Sequence, residues 1–254
     1  EDYRSVFSVI KLKGNVLRFV FITGITKFTQ ISLFSVLNHL TNISFLPQFA
    51  PLCGITEEEM AVNFAPELEA LADKMECSFE EAHDKLKTYY DGYHFSDENM
   101  TDIYNPFSLL NALSQLRLRN YWISSGATSM LNKFVNNMEL RLHDFEDCYI
   151  DKDTLETSDV IEGGAELFLY QTGYLTIKGY DDGIYTLGFP NFEVRKALYR
   201  VVVPALTMKS NSEVVSAQSF LRKMMQDGNT AEAKKALKAL IADVPYSNKK
   251  MASM

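Results

Sequence analysis

The feature that most constrains the fold is a run of strand-forming residues from Leu17 to Ile22. The run is apolar, β-branched and aromatic apart from Arg18, and it ends at Thr23-Gly24. This composition predicts a strand buried on both faces of a parallel sheet, because helices cover both faces of such sheets. Ligands of open α/β sheets gather at the carboxyl ends of the strands, so the end of this run is a candidate ligand edge.

Three helix starts follow between residues 54 and 90. Thr56 and Ser78 are each followed three residues later by a glutamate, which fits the reciprocal hydrogen bonds of the capping box. Pro66 suits the first turn of a helix that continues through Met75. The segment therefore predicts a small helical cluster.

The middle of the chain carries further helix signals. Asn105 precedes Pro106 and predicts the cap of a helix that reaches about Leu116. Apolar spacing and capping residues also predict helices over 3–11, 32–39 and 128–138.

A hairpin is the clearest signal in the second half of the chain. Two β-rich runs, 174–178 and 184–187, flank the turn Asp181-Asp182-Gly183. A strand over 145–150 and a helix over 163–172 precede the hairpin, and Asn191 caps a helix through Leu206. Helix, hairpin and helix in this order outline a winged-helix module, and helices near 214–226 and 230–242 follow it.

Composition limits the class of protein. With 46% hydrophobic residues, the chain excludes disordered and low-complexity classes. The longest apolar run is too short to cross a bilayer, and no signal peptide is recognisable, so we expect no membrane association and a cytoplasmic location. The three cysteines are far apart, which is typical of reduced thiols. We interpret both ends of the chain as cuts in a longer protein.

The net charge of −8 is unevenly distributed. Residues 209–254 hold eight basic and four acidic residues, so the remainder is strongly acidic. An acidic body repels nucleic acid, although a basic tail could still contact phosphate. The alternative interpretation is a solvated lysine face on terminal helices.

Motifs that would make the chain an enzyme on its own are missing. A phosphate-binding loop needs a glycine followed by lysine, and no Gly-Lys pair occurs in the sequence. The sequence therefore predicts no ATP hydrolysis through a phosphate loop of its own, and it gives no catalytic residue. Asp91, His94, Asp97 and Asp102 could be drawn together as a metal-dependent hydrolase, but turn formation around a strand explains them better, and no metal ligand is assigned.

Several segments have a composition that packing alone does not explain. In order and spacing, they resemble the predicted AAA-ATPase-like family found in Bacteroides and related anaerobes, over about residues 5–246. The segments that carry the resemblance are Phe21–Phe28, Tyr90–Tyr93, Tyr104–Ser108, Tyr121-Trp122, Gln171–Ile177 and Tyr185–Arg195.

The resemblance implies a fold and a place within a larger protein. The implied fold class is α/β and mostly α, with a remnant of a parallel P-loop-type sheet and a helical lid, then a winged-helix-like α+β module and C-terminal helices. A change of pattern near residue 140 gives two domains, 1–140 and 141–254. In that family the phosphate loop and the magnesium-binding strand lie upstream, and a PD-(D/E)XK nuclease-like domain often follows downstream. These two parts of a full-length protein are the implied partners.

The resemblance also implies a nucleotide-facing set of residues. ATP and Mg²⁺ are the implied cofactors, although this chain alone is not expected to bind them. Thr23 would occupy a sensor position at the end of its strand, Lys27 would follow in the adjoining loop, and Arg195 would approach the phosphates as a second sensor. The alternative for Arg195 is a surface ion pair with Glu193 or a neighbour.

Two functions therefore remain open from the sequence. The first is a non-catalytic C-terminal portion of an AAA-like ATPase that contributes sensor, lid and winged-helix-like elements to ATP-dependent conformational switching. The second is a stand-alone winged-helix module that binds protein or nucleic acid without nucleotide chemistry. Asp181 and Asp182 at the hairpin tip would face the phosphates of a nucleic acid and repel them. A protein is therefore the better partner for this second function. The aromatic residues are expected to pack the lid onto the sheet, namely Tyr89, Tyr90, Tyr93, Tyr104 and Trp122.

Overall fold

The structure is a computed structural model that describes residues 8–10, 12–24, 40–122, 131, 148–157, 164–207 and 209–241. The chain divides into two compact units, one of residues 1–127 and 141–196, the other of residues 128–140 and 197–254. The predicted domains, 1–140 and 141–254, group the chain differently and stay a prediction. The described part is mostly helical with small antiparallel sheets, which confirms the α/β, mostly α class.

The first unit contains the predicted helical cluster. After a 3₁₀ turn at Pro47–Phe49, its elements are β1 (Ile55–Thr56), α1 (Glu57–Asn63), α2 (Ala65–Met75), α3 (Phe79–Tyr90), β2 (Ile103–Tyr104) and α4 (Pro106–Gln115). Strands β1 and β2 pair antiparallel, with Ile55 opposite Tyr104. The two strands thereby join the start of α1 to the start of α4.

Local capping chemistry explains where these helices begin. Thr56 forms the complete capping box with Glu59, and Pro66 lies in the first turn of α2, as predicted. Asn105 accepts a hydrogen bond from the Ser108 backbone at the start of α4. Ser78 caps α3, but the return bond is missing because the Glu81 carboxylate binds Lys85 Nζ at 2.6 Å instead.

A single apolar core holds the helical cluster together. It takes one face from each of α2, α3 and α4, together with aromatic side chains from their ends. Its largest fully buried members are Met60, Leu68, Leu71, Leu86, Tyr90, Tyr104 and Leu109.

A three-stranded antiparallel sheet forms the rest of the first unit. Its strands are β3 (Cys148–Asp151), β4 (Thr176–Asp181) and β5 (Ile184–Gly188), in the order β3-β5-β4. Helices α5 (Lys152–Thr157) and α6 (Gly164–Gln171) lie between β3 and β4 in the chain. The predicted hairpin is confirmed. Asp182 and Gly183, both with positive φ, form its two-residue turn.

Three longer helices complete the described chain. They are α7 (Phe192–Thr207), α8 (Asn211–Gln226) and α9 (Thr230–Ile241), close to the predicted ranges. Asn191 accepts a hydrogen bond from the Val194 backbone and caps α7, as predicted. Helices α8 and α9 pack against each other in the second unit. Among the described helices, none has both the length and the apolar character needed to cross a membrane.

The buried strand predicted from Leu17 to Ile22 is not present in the described structure. Residues 17–24 belong to neither a helix nor a strand, and Phe19 is 80% exposed. The ranges that the structure describes contain no parallel strand pair, and a strand is not stable without neighbours to accept its hydrogen bonds. The helix predicted over 3–11 is helical at 8–10, whereas 32–39 and all but residue 131 of 128–138 lie outside the described residues.

Candidate functional site

The three residues assigned to nucleotide binding are not drawn together by the described structure. Thr23 is exposed in the irregular stretch after residue 17, and Arg195 is exposed in the first turn of α7. Lys27 lies outside the described residues. The guanidinium of Arg195 lies 5.9 Å from the centre of the Phe192 ring. The sensor roles of these residues therefore stay predictions.

Glu193, two positions before Arg195, has a different environment. Glu193 is fully buried, and its Oε1 accepts a hydrogen bond of 2.8 Å from the Trp122 backbone. Burial raises the pKa of Glu193, while the Trp122 backbone and the Ser108 side chain oppose the rise. Glu193 thus joins the start of α7 to the segment after α4, and it does not form the surface ion pair with Arg195 that was the alternative.

The hypothetical metal site does not form. His94 binds Asp102, Asp97 lies 3.3 Å from the Tyr185 hydroxyl, and Asp91 faces α3. Within the ranges that the structure describes, no group of three or more His, Cys, Asp or Glu side chains is placed to hold a metal. The described geometry therefore gives no support to the metal-dependent hydrolase, which the sequence had already disfavoured.

His94 is a structural clamp in this geometry. Its Nε2 lies 2.8 Å from Asp102 Oδ1, and its Nδ1 lies 2.9 Å from the carbonyl oxygen of Ile177 on β4. Both partners are oxygen atoms, so both ring nitrogens are engaged. The His94 backbone is held as well, because Thr176 Oγ1 accepts from its N–H and donates to its carbonyl oxygen. Neither ring nitrogen is free to act as a base.

A tight backbone approach fixes the segment just before His94. Gly92 has a φ of +94°, and a side-chain carbon there would lie 2.4 Å from the carbonyl oxygen of Pro190. Only glycine meets both requirements. Lys178 Nζ donates to the Gly92 carbonyl oxygen at 3.2 Å. Gly92 to His94, which we call the strap, is thereby bound to the sheet and to the segment that follows β5.

The strap begins next to a buried carboxylate. Asp91 is 3% exposed, and neither of its carboxylate oxygens has a hydrogen-bond partner. Burial, together with the nearby Asp102 and Glu57 carboxylates, raises the pKa of Asp91 to about 6 against the opposing effects of the Gly92 backbone and Lys87. We call Glu57, Lys87, Asp91 and Asp102 the Asp91 cluster.

Hydrogen bonds from two elements, α3 and β2, hold the Glu57 carboxylate of this cluster. Glu57, at the start of α1, lies 2.5 Å from His83 Nε2 and accepts a hydrogen bond of 2.9 Å from the Tyr104 hydroxyl. Lys87 Nζ lies 3.9 Å from a carboxylate oxygen of Glu57 and 3.9 Å from one of Asp91. Both distances are too long for hydrogen bonds, so the ammonium is only loosely placed between two carboxylates.

The aromatic side chains are buried in part, but their packing of a lid onto a parallel sheet stays a prediction. Tyr90, Tyr93 and Tyr104 are buried, but their hydroxyls bind partners inside the protein rather than lying at the surface. The Tyr93 hydroxyl donates to the carbonyl oxygen of Gly173 at 2.9 Å, and the Tyr90 hydroxyl donates to that of Arg119 at 2.9 Å.

Sequence reasoning missed two acids of this unit whose contacts are long-range in sequence. Glu57 has the pattern of an ordinary first-turn glutamate, and Glu193 has that of a surface residue beside Arg195. Their environments depend on contacts 26 and 71 residues away, with His83 and Trp122. No local signal could have indicated them.

The chain is similar in sequence to part of a longer protein. It is 31% identical over 225 residues to an "Uncharacterized protein in vnfD 5'region" of Azotobacter chroococcum mcd 1. The match covers 84% of this chain but 41% of that protein, so the chain spans about two-fifths of its relative's length. No protein-family model matches the chain, and no solved structure matches it.

Proposed function

We propose that this chain is a non-catalytic portion of a P-loop ATPase-like protein. It contributes a core strand, the helical cluster as a lid, and a winged-helix-like module to ATP-dependent conformational switching. A phosphate loop outside these 254 residues would hold ATP and Mg²⁺, since the sequence has no Gly-Lys pair. Thr23 and Arg195 are the residues of this chain expected to face the nucleotide.

The observation that carries the proposal is the exposure of the segment Leu17–Ile22. Four of its apolar side chains, Leu17, Phe19, Phe21 and Ile22, are exposed, and the Phe19 and Phe21 rings stack on each other with their centres 6.4 Å apart. Covering one large apolar side chain is worth about 1.5 to 3 kcal/mol. The segment has the composition of a doubly buried strand, and the described residues do not cover it. This favours a sheet that another part of a longer polypeptide completes.

The topology of the three-stranded sheet supports the winged-helix-like part. Strand β3, helices α5 and α6 and the hairpin β4–β5 follow in this chain order, and β5 lies in the centre of the sheet. This order of strand, helices and hairpin supports the proposed winged-helix-like module.

The charges of this module favour protein over nucleic acid as its partner. Helix α6 carries a single charged residue, Glu166, and buries Ala165 and Leu167 to Leu169. The hairpin tip carries Asp181 and Asp182. A groove-reading helix needs exposed basic or amide side chains, and phosphate would be repelled by the tip. A stand-alone protein-binding module is therefore the second candidate function.

Calorimetric titration of Mg-ATP tests the proposal. The ligand is added to this chain and, in parallel, to the complete product of its gene. We expect binding only by the complete product, because the phosphate loop supplies most of the contacts. Thr23→Val and Arg195→Ala in the complete product should each weaken binding, the arginine change by about tenfold or more. Arg200→Ala is the matched control, since Arg200 is also exposed on α7.

Two outcomes would contradict the proposal. If the complete product does not bind Mg-ATP, the ATPase relationship fails and the protein-binding module takes its place. If Arg200→Ala weakens binding as much as Arg195→Ala, the effect is a general loss of positive charge and Arg195 is no sensor.

A further inference from the structure

A group of cations without acidic partners lies on the first unit of this acidic chain. It consists of Arg119, Arg195 and Lys196, which we call the cationic cluster, and all three side chains are exposed. Among the described residues, none of the three has a carboxylate at ion-pair distance. The chain has 33 acidic residues against 25 Lys and Arg, so acids are plentiful elsewhere. Cations that stay together without such partners favour an anion from outside the unit.

Two sets of hydrogen bonds fix the segments that carry these cations. The Trp122 backbone N–H donates to Glu193 Oε1 at 2.8 Å, which joins the segment after α4 to the first turn of α7. The Tyr90 hydroxyl binds the Arg119 backbone twice: it donates to the carbonyl oxygen and accepts from the N–H, each at 2.9 Å. The segment from Arg119 to Trp122 thereby joins the end of α3 to the start of α7.

The two cations of α7 lie beside one aromatic ring. The Arg195 guanidinium carbon lies 5.9 Å, and Lys196 Nζ 5.7 Å, from the centre of the half-buried Phe192 ring. This ring packs against Tyr89, the residue before Tyr90, with the ring centres 5.0 Å apart. Attraction between a cation and an aromatic ring holds both side chains at this place. Both positive charges therefore lie at the same ring, where they repel each other unless an anion neutralises them.

One acid lies among these residues, but it is already engaged. Glu193 is fully buried, and its Oε1 accepts from the Trp122 backbone. Burial raises the pKa of Tyr121, the Arg119 charge opposes this rise and the Glu193 charge adds to it. Since both charges act on Tyr121, Arg119 lies on the same part of the unit as the first turn of α7.

We propose that the cationic cluster binds the polyphosphate of a nucleotide, with Arg119 and Lys196 acting beside Arg195. This inference rests on the proposed function, in which Arg195 faces ATP. A guanidinium can bind two phosphate oxygens at once, and an ammonium adds a compact charge, so the three groups match a ligand with charges on adjacent phosphates. Because cations already lie beside the Phe192 ring, the phosphates rather than the base are the part of the nucleotide that is recognised here.

Titration calorimetry with sodium tripolyphosphate tests the site on this chain, at low ionic strength so that the charges are little screened. Magnesium is omitted, because it would neutralise the phosphate oxygens. We expect a dissociation constant on the order of 1 mM, since the chain has no phosphate loop. Arg119→Gln and Lys196→Gln should each weaken binding by about threefold to tenfold. Arg200→Gln and Lys234→Gln are the matched controls, since both residues are exposed outside the cluster, and they should leave binding unchanged.

Three results on this chain would overturn the site. They are no binding of tripolyphosphate by the wild type, unchanged binding by the folded cluster variants, and a loss in the controls as large as that in the cluster variants. Circular dichroism checks the fold, and if one cluster variant does not fold, the other decides. A tetraglutamate peptide is titrated for comparison. If it binds as tightly as tripolyphosphate, the surface takes an acidic peptide and the proposal for phosphate is overturned.

Titration of Mg-ATP into the complete product of the gene separates this inference from the proposed function. We expect Arg119→Gln and Lys196→Gln to weaken binding there by about threefold or more. Unchanged binding by these two variants, where Arg195→Ala weakens it, overturns this inference and leaves the proposed function in place. If the complete product does not bind Mg-ATP, the proposed function fails first and the nucleotide fails with it as the ligand of the cluster.

Discussion

Two apolar runs with the composition of buried strands have opposite fates in this protein. The residues of β5, from Ile184 to Gly188, become the central strand of a sheet, and Tyr185 and Leu187 are fully buried. Leu17–Ile22 remains outside any sheet with four apolar side chains exposed. The difference lies in the neighbours: β5 pairs with β3 and β4, whereas the described residues offer no strand to the first run. A strand-like sequence is buried only where other residues complete its sheet.

The largest expected difference in stability is between two variants that each shorten one side chain, one in β5 and one in Leu17–Ile22. Leu187→Ala should lower the free energy of unfolding by about 2 to 5 kcal/mol, because it leaves a cavity at a fully buried position between β3 and β4. Phe19→Ala should cost less than about 0.5 kcal/mol, since the ring is already in water. Urea unfolding followed by circular dichroism measures both. Equal losses would mean that Phe19 is buried in solution and would remove the contrast.

The strap gives the next largest effect, because it lies between the hairpin and the helical cluster. Gly92→Ala should cost about 2 to 3 kcal/mol, since the added carbon lies against the Pro190 carbonyl oxygen and φ is positive. Gly183→Ala also has a positive φ but meets nothing within 4 Å, so about 1 kcal/mol is expected. The same unfolding experiment compares the pair. A cost for Gly183→Ala as large as that for Gly92→Ala would show that backbone strain, not the contact with Pro190, fixes the strap.

The buried Asp91 should make the free energy of unfolding depend on pH. Burial first, then Asp102 and Glu57, raise the pKa of Asp91 to about 6, so the folded state binds a proton more tightly than the unfolded state. Stability should therefore fall as pH rises from about 4 to about 6, by at most about 3 kcal/mol. Asp91→Asn should remove most of this decrease in the free energy of unfolding, whereas the exposed Asp181→Asn should leave the decrease unchanged. If the decrease persists in Asp91→Asn, another buried acid causes it, and Glu193 is the first candidate.

The smallest effect is expected for a polar change in the exposed run. Phe21→Ser should change the stability of this chain by less than about 0.5 kcal/mol, because the ring is half-exposed. In the complete gene product, the same change should cost about 2 kcal/mol or more if the run is a core strand there. Thermal unfolding of both proteins makes the comparison. A small effect in both would count against a completed sheet and against the proposed function.

Local signals gave much of the secondary structure. The Thr56 capping box, Pro66 in the first turn of α2, the Asn105 cap and the Asp182-Gly183 turn were all predicted and are confirmed. Each depends on residues within four positions of one another, so a short stretch of sequence contains the whole cause. Ser78 is the instructive exception, because its partner Glu81 had a second local option in Lys85.

The candidate site could not be predicted in the same way. Asp91, His94, Asp97 and Asp102 were grouped because they are close in sequence, yet they form no common centre: His94 binds Asp102, while Asp97 lies near Tyr185 and Asp91 near Lys87. Their real neighbours come from α1, β4 and β5, up to 88 residues away. Burial also depends on the whole unit: Glu193 and Arg195 are two positions apart, and one is fully buried while the other is exposed.

The sequence by itself determined where helices begin, where the hairpin turns and which phosphate-loop motif is missing, because hydrogen bonds between near neighbours and the identity of single residues decide these features. Only the tertiary structure decided that Leu17–Ile22 stays exposed, that His94 clamps the strap and that Asp91 is buried. The physical reason is that desolvation and strand pairing require surfaces from distant parts of the chain, and a local pattern carries no information on whether those surfaces arrive.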